Sequence, residues 1–376
     1  MARKIHSILV IGAGPAGVIP AIILARAGLA VTVVERQRFP RDKVCGECLS
    51  ATGLATLGRA GLLEVLEPLG PARLTRTTLV APGGATATHE LAHGMWGLTR
   101  RRMDTALLAT AEDAGVRVLQ PARVENLQNT PAGVSAAVRY ESNVVENVTA
   151  DLALLADGKS ALLPGADKPS PTRDLGIKAH FRNVSADASS IHLFSLGGHY
   201  GGLAAVEDGL WNVALSVPQA VVRRFQGDLA GLWTSLVAGN PFLQGAFAEA
   251  ARETDWLASP LPRFPVRPDW PDHIIPVGNA AAALEPIGGE GMGLAMRSGE
   301  LAASAILAAN AVGTSVDTKQ LQAAFRALWR TRRPACRTVA VVVSQPALAR
   351  AIIPFSSYAE SATRVVLRLM GKASRS

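Results

Sequence analysis

Near the start of the chain, Gly12, Gly14 and Gly17 stand at the spacing G-x-G-x-x-G within Ile11-Gly12-Ala13-Gly14-Pro15-Ala16-Gly17, and an acid, Glu35, ends the next apolar run. A second glycine-rich stretch, VGNAAAALEPIGGEGMG from Val277 to Gly293, returns towards the other end. Between them, Cys45-Gly46-Glu47-Cys48 sets two thiols and a carboxylate side by side, and His199-Tyr200 pairs an imidazole with a phenol. Glycines at the first spacing allow a tight turn, close backbone approach to a pyrophosphate, and close helix–strand packing. A carboxylate about 20 residues further on suits a ribose hydroxyl. Two thiols in C-x-x-C can form a redox disulfide.

Such a motif has meaning only between a strand and a helix. Ser7 to Val10 reads as a buried strand, Val18 to Ala27 as a helix with Gly28 at its C-terminus, and Leu29 to Val34 as a second strand ending in Glu35. The helix N-terminus then faces phosphates. A glycine turn without a ligand is the plain alternative. Pro20 is an anomaly in the helix and costs it a hydrogen bond.

The rest of the chain alternates in character. Ser50 to Leu69 and Arg102 to Ala114 read as helices, and Leu74 to His89 as short strands turning at Pro82–Gly84. Val116 to Leu119 and Leu152 to Ala156 read as buried strands. Val124 to Leu127, Val134 to Arg139 and Val144 to Ala150 form a three-stranded meander. Gly176 to Val217 suggests a β-sheet, Ala220 to Glu253 helix, Pro260 to Asp272 a connector, and Ile274 to Val277 a strand entering the second glycine loop. From Gly291 to Trp329 the pattern is helical, and Arg330 to Ser376 is a helical tail broken at Pro334, Pro346 and Pro354.

The fold class is therefore α/β (α+β overall): a Rossmann-like dinucleotide domain with an inserted β-sheet substrate domain and C-terminal helices. The expected first domain is discontinuous (1–75, 99–165 and 270–310). The second takes 76–98 and 170–265, and the tail 311–376.

The chain has 376 residues, 48% apolar and 18% charged, a net charge of +8 and a pI near 9.9. The basic balance suits an anionic cofactor, an acidic partner or a membrane surface. Basic residues lack interleaved aromatics, which argues against nucleic acid. Ile8 to Ala25 is uncharged and long enough to span a bilayer, but its glycines and prolines resolve it into strand and helix, and no cleavage pattern makes it a signal peptide. Three cysteines and no secretory signal indicate a reducing, cytoplasmic setting. No second thiol pair supports a metal.

Four motifs in order resemble the flavoprotein superfamily of class A aromatic hydroxylases, flavin-dependent halogenases and geranylgeranyl reductases. IGAGPAG with Glu35 resembles its pyrophosphate and ribose site. LTRRRMD, Leu98 to Asp104, resembles I-S-R-x-x-L-D. ADGKS, Ala156 to Ser160, resembles A-D-G-x-x-S with one residue fewer. VGNAAAALEPIGGEGM resembles G-D-A-A-x-x-x-x-P-x-x-G-E-G-M. The resemblance implies FAD as cofactor. It places Gly12, Gly14, Pro15, Ala16, Gly17, Glu35, Arg36, Arg100, Val124, Asp157, Gly278, Asn279, Pro286, Gly289, Gly291 and Met292 at the cofactor site. Asn279 replaces the family's acid and keeps an acceptor for ribityl hydroxyls. Leu163 stands where the family has an arginine, which bears on nicotinamide handling.

Arg41 to Ser50, RDKVCGECLS, resembles the K-V-C-G-E stretch of the reductase-like branch and falls near the flavin ring. Halogenase signatures are absent, and only Tyr200 survives from the geranylgeranyl reductase pattern, in Gly198 to Leu215. The resemblance thus implies a monooxygenase that takes electrons from NAD(P)H and transfers oxygen through a flavin C4a-hydroperoxide. A double-bond reductase is the alternative, and a dithiol flavoprotein using Cys45 and Cys48 the lesser one. Candidate catalytic residues are Glu47, a base if burial raises its pKa, with Cys45, His199 and Tyr200. A helix-capping Glu47 and a satisfied sheet His and Tyr are the plainer readings. Glu290 reads as structural. The partner is a small-molecule or carrier- or protein-bound substrate. The tail, with Arg337, Arg350, Arg364 and Arg368, could touch a membrane or cover the substrate domain, and its proline breaks favour packing.

Overall fold

The computed structural model describes residues 4–158, 162–163, 174–356 and 358–371. After a half-buried Ser7, the strand Ser7–Ile11 is apolar and buried on both faces, as the central strand of a parallel sheet must be. Leu152–Leu155 and then Ile274–Pro276 lie on one side of it, and Ala30–Val34 and then Arg117–Leu119 on the other; every pairing is parallel. Successive residues point to opposite faces. Ile8 and Val10 therefore join the helical core, while Leu9 and Ile11 pack under the meander Ala122–Thr130, Gly133–Tyr140 and Val145–Ala150. This is a mixed α/β, Rossmann-like fold.

The chain leaves Ile11 through Gly12 at φ +105° and enters the helix Pro15–Arg26. A Cβ on Gly17 would stand 2.0 Å from the Gly12 carbonyl oxygen, so the turn closes only with glycine there. Pro20 explains itself against a second helix. Lacking an N–H, it leaves the Ala16 carbonyl without its intrahelical partner. The helix Gly291–Val312 closes on that carbonyl at Gly299, where a Cβ would come within 2.6 Å of the Ala16 oxygen and 2.7 Å of Pro20 Cδ.

The second sheet has nine strands. Asp174–Arg182, Trp211–Pro218, His199–Ala205, Ser190–Leu196, Ala72–Val80, Thr86–Gly97 and Cys48–Leu49 run in that spatial order, and the short strands Ala251–Arg252 and Leu257–Pro260 pair with Asp174–Arg182. All pairs are antiparallel except Ser190–Leu196 with Ala72–Val80. Its outer face carries a separate core in which Phe181, Trp233 and Phe247 pack edge to face or tilted.

Several expected helices are shorter than their periodicity suggests. Ser50 to Leu69 resolves into Ala51–Arg59, Leu63–Leu66 and a 3-10 turn. Ala220 to Glu253 is three helices, Gln219–Arg224, Leu229–Ala238 and Pro241–Ala246, because Asp228 and Asn240 cap new helices inside the run. The long C-terminal span is broken at Gly313, before Thr318–Arg330. In the tail, Pro334 lies in the first turn of Arg332–Ser344 and Pro346 opens Pro346–Ile352, positions where proline loses no helix hydrogen bond. A final helix, Glu360–Leu369, follows. Among the described residues no helix is long and apolar enough to cross a membrane.

Candidate active site

Both glycine loops open on one cavity of about 260 Å³ between the parallel sheet and the nine-stranded sheet. Gly14, Pro15 and Ala16 line it from the first loop; Asn279, Pro286, Gly289, Gly291 and Met292 line it from the second. Two helices therefore present their N-termini to it, Pro15–Arg26 and Gly291–Val312, and neither is capped by a side chain. Their partial positive charge suits anionic groups. Glu35 is buried and accepts the Ala13 N–H and the Gln37 N–H at 2.9 Å each, which fixes its carboxylate beside the first turn. Gly12 and Gly17 shape that turn from behind, and Gly278 donates its N–H to Ser298 Oγ at 2.8 Å. Asp157 is half-buried just past Leu152–Leu155, and Arg36 is exposed. Val124 is buried in the core under the meander. Lys159 and Ser160 of ADGKS lie outside the described residues.

Arg100 opens the helix Arg100–Asp113, with Thr99 as its N-cap. Its guanidinium is held in a fork by Asp104 (2.8 and 2.5 Å) and would lie 3.7 Å from a Cβ on Gly14. Burial opposes its charge, but Asp104 outweighs burial and raises its pKa further. Asp104 also meets Arg41 Nη1 at 3.2 Å. Lys43 reaches the same cavity, open to that space yet walled by protein. Its pKa falls to about 8 through that enclosure and the nearby charges of Arg100 and Arg41.

Glu47 lies at the cavity wall in a left-handed conformation, φ +56°, and is completely buried. Lys178 Nζ donates to its Oε1 at 2.5 Å, the Arg100 N–H donates to the same oxygen at 2.7 Å, and His180 Nε2 lies 2.7 Å from Oε2. Burial pushes its pKa up, but the Lys178 charge and the His180 hydrogen bond push harder, so the carboxyl is held below its ordinary range. The condition on which a base role rested, a pKa raised by burial, is not met: the compensating cation comes from a strand 131 residues away in sequence. Glu47 does not cap the following helix, since Ala51–Arg59 has no side-chain cap. Cys45 and Cys48 both line the cavity as thiols; Cys45 Sγ accepts the Glu47 N–H at 3.4 Å, and Cys48 is buried.

The far wall is apolar: Ile191, Leu193, Leu203 and Leu215 from the nine-stranded sheet, with Leu284 and Ile287 from the second loop. Tyr200 faces it, buried, with its hydroxyl donating to Glu285 at 2.5 Å. Burial and the Glu285 charge raise the phenol pKa well above its usual value. His199 lines a second, polar cavity of about 190 Å³ instead, together with Arg263, Glu285 and Arg337. It is not among the residues lining the main cavity, whereas Tyr200 lines both. Burial lowers its pKa.

These residues fit FAD. Two uncapped helix N-termini, the buried Arg100 and a glycine cradle converge on one cleft, and a Cβ on Gly289 would intrude to 3.2 Å from Met95 Cε. The family model described as FAD binding domain matches residues 6–195, just over half of the chain, and the chain belongs to that family. It is an FAD-dependent oxidoreductase. It is 26% identical over 330 residues to conditioned medium factor receptor 1 of Dictyostelium discoideum, covering 82% of this chain but 64% of that relative's length. It is 27% identical to menaquinone reductase of Mycolicibacterium smegmatis (79% of this chain, 75% of that protein) and 26% identical to kynurenine 3-monooxygenase of Stenotrophomonas maltophilia (90% and 78%). Among solved structures, p-nitrophenol 4-monooxygenase from Pseudomonas putida superposes with a TM-score of 0.81 at 17% identity over 100% of both chains, which shows a shared fold.

Sequence reasoning missed Lys178, His180, Glu285 and Arg263. Lys178, His180 and Arg263 sit in no motif, and Glu285 falls on a variable position of the second glycine loop. The one available signal was a lysine set between Ile177 and Ala179 in a strand, Asp174–Arg182, where a charge is buried only with a partner.

Proposed function

We propose that the chain is a monooxygenase that uses NAD(P)H to hydroxylate an aromatic or otherwise hydrophobic organic substrate, free or attached to a carrier or protein. The observation that carries this reading is the apolar wall of Ile191, Leu193, Leu203 and Leu215 across the cavity from Asn279, Gly289 and Gly291. Bound FAD, reduced by a nicotinamide and reoxidised by dioxygen, supplies the oxygen transfer. The chain's residues bind and orient. Arg100 and the two helix N-termini hold the phosphates and the flavin ring. Asn279 offers its amide to the ribityl chain. The apolar wall excludes water from the reacting atoms. Tyr200, kept protonated, hydrogen-bonds a polar substituent while Glu285 fixes its rotamer. Likeness to kynurenine 3-monooxygenase along 90% of the chain supports the reading.

Reduction of a double bond is the second reading. It is favoured by the position of Cys45-Gly46-Glu47 on the cavity wall and by the likeness to menaquinone reductase. The test is to turn over candidate substrates under labelled dioxygen and follow the product by mass spectrometry. Label in the product supports the monooxygenase. A saturated product formed without oxygen replaces it with the reductase. A protein that purifies colourless and takes up no FAD overturns both.

A further inference from the structure

The positive charge of this chain is concentrated in one stretch of its sequence. Residues 331–376 contain eight arginines and lysines and a single acid, Glu360, whereas the whole chain carries only +8, so the preceding 330 residues are close to neutral; Arg332 and Arg337 pair with Glu290 and Glu285, and Arg350, Arg364 and Arg368 lie between Val341 and Leu369. Exposed apolar side chains gather in the same segment. Among the described residues eleven large apolar side chains are exposed, and eight of them lie between Val341 and Leu369. In the helix Glu360–Leu369, Val365, Val366 and Leu369 share one face and are 53%, 39% and 41% exposed, with Arg364 and Arg368 beside them. Phe355 and Tyr358, 67% and 87% exposed, precede that helix.

An apolar stripe left in water next to arginines and aromatics is the pattern of a helix that lies in a membrane interface. A spanning role is excluded for the described helices by their length and hydropathy. Charge complementarity names the partner: Arg350, Arg364 and Arg368, with Glu360 the one acid between Val341 and Leu369, are attracted to anionic headgroups, while valine, leucine and phenylalanine enter the acyl boundary. The segment is also joined to the cofactor loop. A Cβ on Gly288 would lie 2.8 Å from Cys336 Sγ, one on Gly371 would lie 2.6 Å from Glu290 Cδ, and Arg332 Nε stands 3.4 Å from Glu290 Oε2.

We propose that the surface from Val341 to Leu369 docks on an anionic phospholipid bilayer, with the helix Glu360–Leu369 lying flat in the interface and the back of the second glycine loop turned towards the membrane. The inference stands independently of the reaction catalysed. Its test is sedimentation of the full flavin-loaded chain with vesicles of phosphatidylcholine alone or containing about a third phosphatidylglycerol, at low and high salt. The expected result is pelleting with the anionic vesicles and release by salt. Arg364→Gln with Arg368→Gln lowers the partition coefficient roughly 30-fold, at about a kilocalorie per basic residue. Phe355→Ser with Tyr358→Ser, which leaves the helix intact, weakens it as well. Val144→Ser, Val145→Ser and Val312→Ser, exposed elsewhere, change nothing. Retained flavin absorbance shows that each variant is folded. No pelleting by the wild-type chain, or pelleting unaffected by the substitutions, overturns the proposal. So does light scattering that shows a dimer dissociated by the Phe355 and Tyr358 changes, since a second copy then covers the face.

Discussion

The two walls of the cavity are built by different means. On the cofactor side, backbone approaches backbone: a Cβ on Gly12 would meet the Ala156 oxygen at 2.6 Å, and one on Gly17 the Gly12 oxygen at 2.0 Å. On the substrate side, buried charges position the groups: Glu47 between Lys178 and His180, and Glu285 among Tyr200, Arg263 and Arg337. The first kind of wall tolerates no added atom. The second tolerates replacement of a whole pair but not the loss of one partner, which leaves an uncompensated charge in a medium that solvates it poorly.

The largest effect is expected where that contrast is sharpest. Lys178→Met strands the Glu47 carboxylate and destabilises the fold by about 3–5 kcal/mol in urea unfolding, while adding Glu47→Gln recovers part of the loss. If the single and double variants unfold alike, the charge network does not hold this wall. Gly17→Ala follows, at about 3 kcal/mol, together with loss of bound flavin read at its visible absorbance; retention of flavin would mean that the turn opens without penalty. The pH dependence separates the walls further. The Glu47 pKa is depressed in the folded state, so its contribution to stability is present above the ordinary value of 4.5 and is lost as pH falls below it. Glu47→Gln therefore flattens the acid limb of the stability–pH curve, and a curve unchanged by that variant refutes the assignment. Tyr200→Phe removes one hydrogen bond from Glu285, which Arg263 still satisfies at 2.9 Å, and costs about 1 kcal/mol. The smallest change belongs to Asn279→Asp, which keeps the acceptor and shifts FAD affinity by about threefold or less in a fluorescence titration.

The same contrast explains what was readable in the sequence. A position that demands glycine writes that demand locally, so Gly12, Gly14 and Gly17 marked the first turn and Gly289 and Gly291 the second. The strands around them were legible because a doubly buried strand is apolar throughout. A buried ion pair writes nothing local. Glu47 and Lys178 are 131 residues apart, and Tyr200 and Glu285 are 85. Each looks unremarkable until the nine-stranded sheet brings them together. Glu47 was noticed, but from the sequence its protonation hung on burial alone: burial was foreseeable from its neighbours, the lysine beside it was not. The run from Ala220 to Glu253 failed differently, because its caps lie inside an apolar periodicity that continues across them.

The order of strands in the parallel sheet bears on how the chain is made. Ser7–Ile11 is central, yet its neighbour Leu152–Leu155 and the strand beyond that, Ile274–Pro276, are synthesised far later, the last about 260 residues on. At ribosomal rates that interval lasts roughly 10 to 50 s. Through it, the first glycine turn has left the ribosome without the strand and loop that complete its cleft. Nascent chains arrested before and after Ile274 should differ abruptly in protease resistance, and the flavin can be captured only by the longer ones.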